Sequence, residues 1–451
     1  MCRRTILLCC LIPLMMISTE SKTLAPHSDG RESSIYTEFA LANGLRVILH
    51  EDHSTPMVTI DVLYHVGSRN EQPGRTGFAH LFEHLMFDGS KNVERGGYDR
   101  YCTSVGGDNN AFTSSDITNY YISLPSDQLP LGLWLESDRM AEFAIKDISL
   151  ETQKNVVTEE KKQTTDDVPY GDAVIVMREL SYAPEHPYSW EPIGSMEDIA
   201  AARMEDVRAF YQRFYVPSNA TLVIAGDFDP AEARALVDGY FGSIPPGLPI
   251  EQMGDITRHH RQGMRKRLRQ SHIPFNALFL GYHVPSIHDS DFHAMDLLSA
   301  ILADGESSRL YRAIEYTQQI ASETEAFIDE GELSSMLYVY AVAQNGRVTP
   351  KKLERSLLEE IRKVAEDGVD ERELQKVKNR RITRIVHALQ SVSNRAERLA
   401  YFGALFDEPD LAFREAKLYE PITPEDIRRV ARTYLLHAKP NVIAYEAGEE
   451  K

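Results

Sequence analysis

An α+β fold built from a duplicated unit is predicted by three features of the sequence. The chain has 451 residues, too many for one ordinary core. The order of strand-like and helix-like segments in its first half recurs in its second. Between the halves, residues 242–263 hold Pro245, Pro246, Pro249 and several glycines with few apolar runs, as a linker does.

In the first half, residues 37–40 and 45–50 read as strands around the turn Asn43-Gly44. Residues 58–65 alternate as a third strand, and 98–104 read as a helix. Thr113, Ile117, Tyr120, Tyr121 and Ile122 give 112–124 strand chemistry. Helices follow at 129–143, 147–165 and 205–215, then a buried strand at 220–225 and a helix at 229–241. The second half repeats the order, with strands at 276–284, 320–327, 336–343 and 441–445. Its helices fall at 290–302, 309–316, 351–365, 371–391 and 424–434. The resulting organisation is a signal peptide at 1–25, a first domain at 34–243, a linker at 244–270 and a second domain at 271–451. His259 and His260 lie in the linker among Arg258, Arg261, Arg265, Lys266 and Arg267, and read as a solvated basic stretch rather than a metal site.

Hydrophobic residues are 42% and charged residues 26%, as expected of a globular protein. A formal net charge of −19 argues against nucleic acid as a partner. Arg3 and Arg4 followed by an apolar run to Ile17 resemble an export signal, which points to the periplasm; a retained membrane anchor is the rival reading. Cys2, Cys9 and Cys10 fall within that segment. Cys102 would be the one cysteine left, without an intrachain disulfide and without a group to activate it.

The chemistry concentrates in His80-Leu81-Phe82-Glu83-His84. Phe78, Leu81, Leu85 and Met86 recur at helical spacing, so His80 and His84 lie one turn apart on one face. Two imidazoles with a nearby carboxylate suit a hydrolytic zinc site; the plain alternative is a helix with two structural histidines. A third ligand is sought on the helix at 147–165, which offers Glu151, Glu159 and Glu160. With Val156 and Val157 as its buried face, Glu160 follows the stripe more closely than Glu159, although a solvated charged helix also fits. In the second half the matching helix reads His293-Ala294-Met295-Asp296-Leu297. It lacks the second histidine, so His293 reads as packing or surface.

His80-x-x-Glu83-His84, with a helical carboxylate some seventy-five residues later, resembles the inverzincin pattern of the insulinase/pitrilysin family. In length the chain resembles the bacterial, mitochondrial-processing-peptidase-like branch. Asn110-Ala111-Phe112-Thr113, Pro169-Tyr170-Gly171, His186-Pro187-Tyr188, Tyr215-Val216-Pro217-Ser218-Asn219 and Ser307-Ser308-Arg309-Leu310 are similar to further family segments, in order, from Tyr36 onward. The resemblance implies two homologous α+β domains, each a mostly antiparallel sheet with helices on one face. It implies one Zn2+ per chain on His80, His84 and Glu160, with Glu83 as catalytic base. Asn110, Ala111 and Phe112 would bind an extended peptide. Two positions depart from the family pattern. Gln153 stands where relatives often carry a glutamate near the ligands, and is expected to serve there as a neutral hydrogen-bonding group. Glu315 and Ser322 stand where an arginine–tyrosine pair is usual. The expectation is a zinc endopeptidase whose zinc-free, homologous partner supplies that pair in a heterodimer, with a homodimer as runner-up. A non-catalytic assembly subunit is the alternative from another class.

Overall fold

The computed structural model describes residues 31–32, 35–142, 146–250 and 259–448. The expected signal segment 1–25 and the centre of the expected linker, 251–258, lie outside them.

The first half contains β1 (Arg31–Glu32), β2 (Thr37–Ala40), β3 (Arg46–Glu51), β4 (Met57–Tyr64), β5 (Asp108–Thr113), β6 (Thr118–Pro125) and β7 (Ala220–Gly226). Its helices are α1 (Phe78–Leu85), α2 (Gly97–Ser104), α3 (Leu129–Ala141), α4 (Asp147–Lys161), α5 (Ala173–Ser181), α6 (Met196–Ala201), α7 (Met204–Phe214) and α8 (Pro230–Phe241). The second half contains β8 (Arg265–Gln270), β9 (Ala277–Val284), β10 (Ala321–Asp329), β11 (Ser335–Ala343) and β12 (Asn441–Ala447). Its helices are α9 (Phe292–Ala303), α10 (Pro350–Asp367), α11 (Glu371–Ala388), α12 (Val392–Phe406), α13 (Leu411–Tyr419) and α14 (Pro424–Val430).

The sheets repeat one topology. The first runs β1-β2-β3-β7-β4-β6-β5 and the second β10-β11-β9-β12-β8. Read from opposite ends, β5-β6-β4-β7-β3 matches β10-β11-β9-β12-β8. The parallel contact falls in the same place in each, at β3–β7 and β8–β12, and the other pairs are antiparallel.

Each sheet buries one face under its own helices. Val47, Leu49, Ile60, Val62, Leu222 and Ile224 pack with Leu81, Phe82 and Leu133. Leu278, Leu280, Leu337 and Val339 pack with Leu297, Leu357 and Leu374. The opposite face of each sheet takes a helix from the other half. Ile48, Leu63 and Val223 meet Ala396, Leu399 and Phe402 of α12. Phe279, Tyr338 and Ile443 meet Val176 and Met177 of α5. Neither sheet is therefore covered on both faces without the other half.

Three expectations change. The strand expected at 112–124 is a hairpin of β5 and β6, because Ser114 Oγ accepts the amides of Asp116 and Ile117 (3.1 Å each) and turns the chain. The expected linker 244–270 ends earlier. Arg265–Gln270 is β8, an edge strand whose Arg265 pairs in two-pronged fashion with Glu354 (2.8 and 2.7 Å). His259 and His260 are not a solvated stretch either. His259 meets Glu185 (3.0 Å), and the His260 ring stacks on His283 with centroids 4.1 Å apart.

Candidate metal centre

Helix α1 is eight residues long and buries Phe78, Ala79, Leu81, Phe82 and Leu85. Phe82 stacks on Phe210 and Tyr215, with centroids at 5.3 and 5.1 Å. That anchors one side of the helix and turns His80 and His84 the other way. The helix start is fixed by groups that the motif alone does not reveal. The Glu71 carboxyl accepts the amides of Gly77 (2.9 Å) and Ala79 (2.8 Å), occupying donors the first turn leaves free. Burial pushes Glu71 up to about 8 against those hydrogen bonds. Gly77 has φ +86°, and a Cβ there would meet Ile199 Cδ1 at 2.7 Å and Ile193 O at 2.9 Å. Only glycine fits that turn.

Helix α4 runs beside α1. Its buried positions are Ser149, Leu150, Lys154 and Val157, whereas Val156, expected on the buried face, is 42% exposed. Glu160 lies three residues after Val157 and is half-buried, and Glu159 faces solvent. Glu160 Oε1 is 3.5 Å from His80 Nε2, and Oε2 is 3.1 Å from His84 Nε2. The two Nε2 atoms are 3.3 Å apart. Among the described residues, this is the one group of three histidine, cysteine or carboxylate donors close enough to share an ion. Two imidazole nitrogens and a carboxylate facing one point match the donor set of a zinc site with an open position, so the residues fit that metal.

The electrostatics agree with the geometry. Hydrogen bonding to His80 comes first among the effects that hold Glu160 below the usual carboxylate range. Burial, then the neighbouring His80, lowers His84 and favours the neutral imidazole a metal needs. Glu83 is raised by burial and lies beside Thr113 at the end of β5.

Asn110, Ala111 and Phe112 lie on β5, at the outer edge of the first sheet, and among the described residues no strand pairs with its second side. Ala111 packs on the α1 face of the sheet and Phe112 on the α12 face. Gln153 Nε2 donates to Asp88 Oδ1 (3.1 Å), just past the end of α1, and makes no hydrogen bond to either imidazole. It ties α4 to the loop after α1. Cys102 is buried, and burial raises its thiol. In the second half, Glu315 accepts a hydrogen bond from Thr324 (2.6 Å), and the Ser322 hydroxyl points to the Ala343 carbonyl (3.5 Å).

Family profiles match both halves. The profile described as Insulinase (Peptidase family M16) matches residues 46–177, and that described as Peptidase M16 inactive domain matches 202–381. This chain belongs to the insulinase family of peptidases. Among its insulinase-family relatives, the zinc protease PqqE of Helicobacter pylori is 30% identical over 407 residues, spanning 87% of this chain and 89% of PqqE. A crystal structure of a protease from Helicobacter pylori superposes with TM-score 0.84 at 27% identity, covering 91% of this chain and 99% of that one. The periplasmic protease PqqL from Escherichia coli shares the fold with TM-score 0.73 at 21% identity. This chain covers 48% of PqqL, with 93% of its own length matched. The family's two-domain architecture accounts for the repeated topology, and the inactive-domain profile falls on residues of the second half and the end of the first.

Proposed function

We propose that this chain is a zinc-dependent endopeptidase that hydrolyses extended or unfolded peptides in an enclosed chamber, as the catalytic subunit of a heterodimer. The observation that carries the reading is the convergence of His80, His84 and Glu160 beside the Glu83 carboxyl, at the end of an open sheet edge. His80, His84 and Glu160 would hold one zinc ion, which when bound supplies a Lewis acid and makes water acidic enough to be deprotonated near neutral pH. Glu83 would take the proton from the attacking water and pass it to the leaving amine. The backbone of Asn110, Ala111 and Phe112 would pair with the substrate as an added strand, which restricts substrates to flexible segments. Glu315 and Ser322 offer neither a cation nor a phenol, which supports a homologous zinc-free partner as the source of an arginine–tyrosine pair. The basic start and apolar run before residue 18 support export to the periplasm. Among the described residues, no helix is long and apolar enough to cross a membrane.

The test is turnover of a fluorogenic peptide library by the chain purified alone and by the assembly isolated from its native host, with any co-purifying chain identified. The isolated assembly is expected to cleave. Glu83→Gln is expected to lower kcat by about 10²–10⁴-fold while leaving the metal in place. Turnover that survives Glu83→Gln would remove the assigned base, and full turnover by a monodisperse homodimer would remove the heterodimer.

A further inference from the structure

The turn that joins β5 to β6 is held by two arginines of the first half, and both reach into the second. The carbonyls of Ser114 and Ser115 accept the backbone amides of Ser68 (3.2 Å) and Arg69 (3.0 Å). The Arg69 guanidinium donates to Asp116 Oδ1 (2.9 Å) and also pairs with Glu332. Arg178 donates to Ser115 Oγ (2.9 Å) and to Asp329 Oδ2 (2.7 Å). Asp329 ends β10, and Glu332 lies on the turn between β10 and β11.

The two turns also meet directly. Asp116 is buried, and its Oδ2 accepts the Glu332 amide (3.0 Å). The Tyr188 hydroxyl bridges them, donating to Asp116 Oδ1 (2.6 Å) and accepting the Leu333 amide (3.2 Å). Gly331 passes so close that a Cβ there would meet that hydroxyl at 2.8 Å. The side chains of Arg69 and Glu332 are only 11% and 12% exposed, so their pairing is screened far less than a surface ion pair. His65 Nε2 lies 2.6 Å from Glu332 Oε2, and His288 Nε2 lies 3.4 Å from its Oε1.

Among the described residues, β5 pairs with β6 alone, so its position depends on that strand and on the turn between them. We infer that Glu332 is a positioning residue: it holds the β5–β6 turn so that the open edge of β5 is presented ready for pairing with peptide. The inference rests on the proposed pairing of substrate with that strand. Donors and acceptors already lined up spare the bound complex the cost of ordering them. The second half thereby acts on the peptide strand and not on α1 or α4, which carry the metal donors. Glu332→Ala leaves Arg69 paired with Asp116, so its buried cation stays compensated and the variant is expected to fold.

The test combines hydrogen exchange without peptide and cleavage kinetics with it. In Glu332→Ala, exchange is expected to quicken roughly tenfold across residues 108–118, with α12 unchanged. KM is expected to rise about tenfold, with kcat and zinc content little changed. Glu332→Gln keeps an acceptor for Arg69 and is expected to fall between the native chain and Glu332→Ala. Glu373→Ala removes an ion pair elsewhere in the second half, with Arg309 (2.8 and 2.6 Å), and is expected to change neither readout. Unchanged exchange across 108–118, exchange quickened in α12 as well, or a fall in kcat with KM unchanged would overturn the inference. If the native chain cleaves nothing, peptide affinity by fluorescence anisotropy takes the place of KM. Weaker binding in Glu332→Ala then upholds the positioning role and counts against the peptidase reading alone, and equal binding overturns the role.

Discussion

Helices α1 and α9 start the same supersecondary unit in the two halves, yet the groups facing their partners differ in sign. On α1, two imidazoles meet the Glu160 carboxylate of α4. On α9, the Asp296 carboxylate meets the Arg381 guanidinium of α11, with Nε 2.6 Å from Oδ2, and accepts the Tyr419 hydroxyl at 2.8 Å. His293 packs against Tyr419 at 5.0 Å and Phe292 at 5.6 Å. The first arrangement gathers electron-pair donors around a point that a cation would fill. The second supplies the cation from the protein itself. The scaffold is common to both halves, and a few side chains decide whether a helix pair gathers donors that could share a metal ion or forms an internal ion pair.

The largest effect is expected from giving the first half the chemistry of the second. His84→Leu with Glu160→Arg is expected to remove both metal and peptide turnover, while circular dichroism keeps its native shape. Retained metal in that variant would mean that the donors lie elsewhere.

The halves also differ in what they lend each other, and that sets the next two effects. Leu399 of α12 is fully buried against the first sheet. Leu399→Ala is expected to cost about 2–5 kcal/mol in urea denaturation. Since each sheet depends on a helix from the other half, fluorescence and circular dichroism are expected to report one shared transition. Two separate transitions would show the halves to be independent. His186 reads the same coupling through pH. It is buried beside the Tyr182 ring, with centroids 4.3 Å apart, and burial lowers it to about 4, with the neighbouring His283 adding to the effect. The unfolded state then binds its proton more readily. The stability contribution is complete above pH 6.5 and is lost as the pH falls from 6.5 toward 4, by at most about 3 kcal/mol. His186→Phe is expected to flatten that part of the stability–pH curve.

The smallest expected effect is in the second half. Asp296→Asn removes the carboxylate paired with Arg381 and leaves only the more distant charge of Glu330. Because the Arg381 side chain is 36% exposed, the loss is expected near 1 kcal/mol in thermal or urea denaturation, with metal content unchanged. A loss of metal would show that the second half shapes the first site.

How much of this was legible depends on where each signal resides. The His80–His84 pair was legible because ligands one helical turn apart leave a local mark. Periodicity favours Glu160 over Glu159, although Val156 is exposed and Val157 carries that face. Glu71 was not legible, since its role depends on a fold that brings it over the first turn of α1. Helices α5 and α12 leave no such local mark either. Their apolar faces are complementary to a sheet distant in sequence, and a linear reading has no way to pair them. The basic run at 265–270 looked solvated because its pairing to β12 and Glu354 is entirely long-range.

The most direct test of the contrast between the halves is the zinc content of the purified chain, measured by mass spectrometry beside Glu160→Gln and Glu159→Gln. One zinc per chain is expected in the native sequence and in Glu159→Gln, with zinc lost in Glu160→Gln. No zinc in the native chain, two per chain, or retention in Glu160→Gln with loss in Glu159→Gln would contradict a single centre formed by α1 and α4.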